Sequence, residues 1–83
     1  MYNNKKYRKK RKNKKGEKMI TYEPFRGYVA ANNIKKKDIM QKTGISSSTM
    51  SKLKHDQYVS IEIIDRLCRF LNIDIKDIVR YKD

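Results

Sequence analysis

Five side chains between Ser47 and His55 are of types that do chemistry together. Ser48, Ser51, Lys52 and His55 recur at i, i+3, i+4 and i+7, and Ser47 precedes the first of them. At about 100° per residue these four share one helix face, opposite Met50 and Leu53. Hydroxyls beside an imidazole could serve nucleophilic catalysis, but that chemistry needs a base oriented by a third group. His55 has no evident orienting partner, so a surface histidine is the plainer reading. A polar outer face on a single helix is, by itself, usually only a solvated face. What this stripe offers is hydrogen bonding: serines let a backbone come close to a surface, and Lys52 adds reach and charge. A helix of that width fits the major groove of double-stranded DNA. Its N-terminus, with free N–H groups and a positive dipole end, favours phosphate.

Such a stripe must be held by neighbouring elements, and the spacing of apolar residues predicts them. Ser46 is a good N-cap for a helix over 46–55. Gly44 suits the left-handed end of a preceding helix over 36–43, which turns Ile39 and Met40 inward. Pro24 fits the first turn of an earlier helix carrying Phe25, Tyr28 and Val29; Asn32-Asn33 ends it and Ile34 anchors the connection. After the break at His55-Asp56-Gln57, where Asp56 tolerates a left-handed backbone, Ser60 caps a helix over 61–72. Its apolar arc is Ile61, Ile64, Leu67, Cys68 and Leu71, widened by Ile63 and Phe70, with Glu62–Arg66 and Asp65–Arg69 paired at i, i+4 on the outside. Asp74 caps a last short helix containing Ile75, Ile78 and Val79. Residues 59–64 alternate and are β-branched, as a strand would be, but the helical period continues to Leu71. The expectation is five helices and no sheet.

Charge divides the chain differently. The 83 residues carry a formal net charge of +13. Ten cations and only Glu17 fall in residues 1–18, and seven cations face Asp38 alone across 25–55. Residues 58–83 balance five against five. The first 18 residues have too few apolar side chains to offset the entropy of ordering them, so a disordered basic tail is expected, followed by a domain over 19–83. That tail reads as an electrostatic arm that adds phosphate contacts, or as an upstream extension if Met19 is an alternative start. The lysine, isoleucine and asparagine bias also fits an AT-rich genome. Tyr2 and Tyr7 could stack on unpaired bases. One cysteine, Cys68, and one histidine support neither a disulfide framework nor a metal site, and a buried structural thiol is the expected role of Cys68. No run of about 18 apolar residues spans a membrane, and no apolar stretch follows the basic start as a signal peptide requires. Neither cofactor, metal, membrane nor small-molecule substrate is expected, no nucleophile–base constellation suggests an enzyme, and a cytoplasmic location follows.

The stretches Asp38-Ile39, Thr43-Gly44-Ile45-Ser46 and Thr49-Met50-Ser51-Lys52-Leu53 resemble the Cro/CI-type (XRE-like) helix-turn-helix transcription regulators. The likeness runs from about Met19 to Tyr81, and Met19-Ile20-Thr21-Tyr22 is similar to the opening of a compact branch of that family. It implies an all-α, five-helix lambda-repressor-like domain, with 36–43 as positioning helix and 46–55 as recognition helix. Carried over, Ser47, Ser48, Ser51 and Lys52 match base-facing positions. Thr49 and His55 match phosphate-contacting ones, and Lys36 matches the residue that packs on the sugar-phosphate backbone. Lys35, Lys37, Ser46 and Lys54 complete the backbone set. Met40 stands where the family usually keeps a small residue, and Asp56 where it commonly has glycine. The partner implied is double-stranded DNA, with a homodimer a candidate through the fifth helix and residues 81–83. A repressor occupying operator DNA is the leading expectation. The alternatives are a nonspecific nucleic-acid binder, of RNA included, driven by the tail, and an antitoxin-type module whose fourth and fifth helices bind a protein.

Overall fold

The computed structural model describes residues 19–82; the basic segment 1–18 lies outside the described residues. In chain order the elements are β1 (Ile20–Thr21), α1 (Glu23–Ala31), α2 (Lys36–Thr43), α3 (Ser47–Lys54), α4 (Ile61–Leu71), a 3₁₀ turn (Ile75–Asp77) and β2 (Arg80–Tyr81). Two expectations need correction. The fifth helix is a single 3₁₀ turn, and the described residues include a two-stranded sheet.

Asp74 does start that turn: its N–H donates to the Asp77 carboxylate, 3.2 Å away. The helix cannot extend because Ile78 must enter the core, where it is fully buried, and its carbonyl accepts the Phe25 N–H at 3.3 Å. The chain then pairs antiparallel with its own beginning, Ile20 opposite Tyr81 and Thr21 opposite Arg80. An ion pair between Arg80 and Glu23 braces the same corner.

Tyr22, Phe25, Ile39, Ile45, Met50, Leu53, Ile64, Leu67 and Ile78 form the core, so every described element except β2 either supplies or flanks a buried side chain. Phe25, Ile39, Met50, Leu53, Ile64 and Leu67 are inward as their periodicity predicts. Ile63, Cys68, Phe70 and Leu71 pack half-buried against them. Ile61 is a correction: it is 71% exposed. As the first residue of α4 its side chain leans back toward the N-terminus, beyond the core that Ile64 reaches one turn later. Ile75, 45% exposed, likewise stands outside. Both outer pairs of α4 form, Glu62–Arg66 at 2.9 Å and Asp65–Arg69 at 3.2 Å. No helix of the described residues is long and apolar enough to cross a membrane.

Candidate nucleic-acid interface

The turn between α2 and α3 follows from four residues. Gly44 closes α2 at φ 76°, the left-handed region, and its N–H donates to the Met40 carbonyl. The Thr43 hydroxyl donates to the Ile39 carbonyl at 2.6 Å and accepts the Ile45 N–H at 3.2 Å, which pins the turn from inside. Ile45, 3% exposed, anchors it to the core. Ser46 then caps α3 by accepting the Thr49 N–H at 3.2 Å. From α4, Arg66 donates to the Thr43 carbonyl at 3.3 Å, a contact that sequence reading missed because it paired Arg66 only with Glu62.

With Met50 and Leu53 turned into the core, the other face of α3 is left to solvent. Ser47, Ser48, Ser51 and Lys52 are all exposed on it. The Ser46 hydroxyl lies 3.2 Å from the hydroxyls of both Ser48 and Thr49, so the helix start carries a small hydroxyl cluster. Thr49 is half-buried, less accessible than the serines around it. Nδ1 of His55 sits 3.0 Å from the Ser51 carbonyl oxygen, which can only accept, so this geometry puts a proton on Nδ1. That carbonyl also takes the His55 N–H, tying the end of α3.

Lys35, Lys36 and Lys37 are exposed at the start of α2. Lys35 and Lys36 line a groove of about 570 Å³ together with Ser51, Lys54 and His55 and with the core residues Phe25 and Ile39. The fold therefore brings five of the expected contact residues to one groove. Lys37 lies instead with Met40, Gln41, Gly44 and Ile45 at a second concavity, which Lys36 also borders. Met40 is accommodated half-buried against the core.

Asp56 is more than a turn residue. It adopts φ 55°, as its chain position suggests, and one of its oxygens accepts from Arg26 at 2.9 Å, the Tyr22 N–H at 2.8 Å and the Thr21 hydroxyl at 3.1 Å. Burial by itself would raise this carboxyl; the hydrogen bonds from Arg26, Tyr22 and Thr21 and the Arg26 charge outweigh it and hold the group below the usual carboxylate range. Desolvation pushes the Tyr22 phenol up, and the Asp56 charge adds to that; its hydroxyl donates to the Gln57 carbonyl at 2.8 Å. Burial, with Asp74, Asp65 and Asp77 nearby, raises the Cys68 thiol, which suits a packed thiol and not a nucleophile. No cluster of three or more His, Cys, Asp or Glu able to hold a metal occurs among the described residues.

A short helix capped in the open, set by a glycine turn against a second helix with a lysine-rich start, is a helix-turn-helix unit. The Cro/C1-type helix-turn-helix DNA-binding domain model matches residues 26–83, and the chain belongs to that family. The crystal structure of the transcriptional regulator VanUg, form II, is similar to it with TM-score 0.70 and 27% identity, covering 84% of this chain and 95% of that one. Among curated proteins none matches.

Proposed function

We propose that this DNA-binding regulator is sequence-specific and acts as a repressor, reading the major groove with α3. The observation that carries this is the outer face of α3, where Ser47, Ser48, Ser51 and Lys52 stand exposed on a helix fixed from behind by Met50 and Leu53. These four are assigned to base edges. Lys35, Lys36, Lys37, Ser46, Thr49, Lys54 and His55 are assigned to the sugar-phosphate backbone; four of them, Lys35, Lys36, Lys54 and His55, line one groove together with Ser51. Residues 1–18, with ten cations, would act as an arm that strengthens binding to any sequence. Occupation of an operator by a homodimer would place half-site centres about 34–36 Å apart.

Selection of the full chain against random duplex DNA, followed by competition at physiological salt, tests this. The expected result is an enriched motif preferred over scrambled duplex by at least about 10³-fold, the low end for specific proteins. Enrichment of no motif, with equal affinity for all duplexes, would leave only a nonspecific binder.

A further inference from the structure

We infer that Arg26 and Asp56 are positioning residues that set the pose of α3 on DNA, and through it which bases the outer face meets; this rests on the groove-reading role of α3 proposed above. The start of α3 is held by the Ser46 cap and by α2. Its far end is held by a polar clasp. One nitrogen of the Arg26 guanidinium donates both to the Leu53 carbonyl in the last turn of α3, at 2.8 Å, and to Asp56 Oδ1, at 2.9 Å. The same carboxylate oxygen takes the Tyr22 N–H and the Thr21 hydroxyl, at 2.8 and 3.1 Å. The end of the reading helix is thereby tied to β1 and to the first turns of α1, elements that carry none of the proposed base contacts.

Two features make this more than a generic surface ion pair. First, Asp56 holds a left-handed φ of 55°, a conformation that glycine adopts without steric cost. Aspartate there accepts strain, and what it gains is the three donors converging on one oxygen. Second, side chains of the pair are only 35% and 24% exposed, so water and salt compete weakly with them. Eight residues of helix span about 12 Å, so a tilt of about 10° about the capped start displaces Ser51 and Lys52 by roughly 1 Å. That is enough to lose a bidentate or well-aligned hydrogen bond to a base edge while leaving flexible lysine–phosphate contacts in place.

The decisive variant is the double substitution Arg26→Gln with Asp56→Gly, which conserves net charge and relieves the left-handed residue. Circular dichroism and melting first establish that it folds, with Asp56→Asn, which retains an acceptor oxygen, as the milder arm. On the duplex selected with the parent protein, the double variant should bind scrambled DNA as the parent does, with the same salt slope. Its preference for the selected site should fall about tenfold, the scale of one base pair's contribution. Each single substitution should lose about as much as the double, and Asp56→Asn less. Residual dipolar couplings of the free protein should show α3 tilted relative to α2 in the double variant. An unchanged site preference, or equal losses on selected and scrambled DNA, would overturn the inference. If the parent selects no motif, the function proposed above fails, and the couplings alone decide this one: an α3 pose identical to the parent's overturns it, whereas a tilted helix upholds the clasp.

Discussion

Replacing Lys52 by alanine separates base reading from charge attraction at a single atom. Lys52 is exposed on α3 and its ammonium makes no ion pair among the described residues, so its removal takes nothing from the fold. Alanine is also the better helix former, so stability should stay within about 0.5 kcal/mol of the parent. On DNA the expectation is large. A good side-chain contact to a base edge contributes about 1–3 kcal/mol of discrimination, which is roughly 5- to 150-fold in affinity. The loss should fall on the selected duplex and relax preference at one base pair, while affinity for scrambled duplex changes little. Fluorescence anisotropy with labelled duplexes from about 50 to 200 mM salt reads both quantities. If Lys52 reads a base, the slope of log affinity against log salt should barely move; if it only neutralises a phosphate, the slope should shrink by about 0.9. Equal losses on both duplexes together with that smaller slope would refute the assignment. Lys36→Ala, at the start of α2, should give the phosphate-type signature.

Three further substitutions probe what holds the reader. Ser46→Ala removes the hydroxyl that accepts the Thr49 N–H and should cost about 1 kcal/mol of stability, visible as a lower midpoint in urea. Gly44→Ala places a Cβ no closer than 3.8 Å to Arg66 Nη1, so its cost is the left-handed backbone alone, about 1 kcal/mol, with a native fold at 20 °C; a loss several times larger would mean the turn is packed more tightly than the structure shows. For Asp56 the sign follows from a carboxyl held below its usual range: the charged clasp stabilises the fold at pH above the unfolded value and that contribution disappears as pH falls through the folded one. The melting-temperature gap between the parent and Asp56→Asn should therefore be constant above about pH 5 and shrink below about pH 4. A gap that is the same at pH 3 and pH 7 would argue against the ion pair.

Local signals explain what was legible in the sequence. Gly44 and Ser46 announce the end of one helix and the start of the next within three residues, and Met50 with Leu53 sets the buried side of α3; each depends only on neighbours in the chain. The Glu62–Arg66 and Asp65–Arg69 pairs are one helix turn apart and were legible for the same reason. The small sheet was not. Each strand has two residues, too few to show alternation, and Ile20 pairs with Tyr81 across nearly the whole length of the domain. The last helix failed because the spacing of Ile75, Ile78 and Val79 suits a helix, yet could not show that Ile75 stays exposed or that Ile78 meets the backbone of Phe25. The clasp was the most informative omission. Asp56 was read for its backbone alone, and the residue that completes it, Arg26, lies thirty positions earlier on another helix. One signal was available: besides Asp38, Asp56 is the acid next to a strongly cationic stretch, and such an acid commonly has a specific partner.

Chemical-shift mapping of the 15N-labelled full chain against its selected duplex would test the groove-reading claim most directly. The largest amide changes should fall on residues 46–55 and on Lys35, Lys36 and Lys37, with the exposed side of α4 nearly silent. Changes concentrated on α4 and the β1–β2 corner, with residues 47–52 unmoved, would show that DNA is met by another surface.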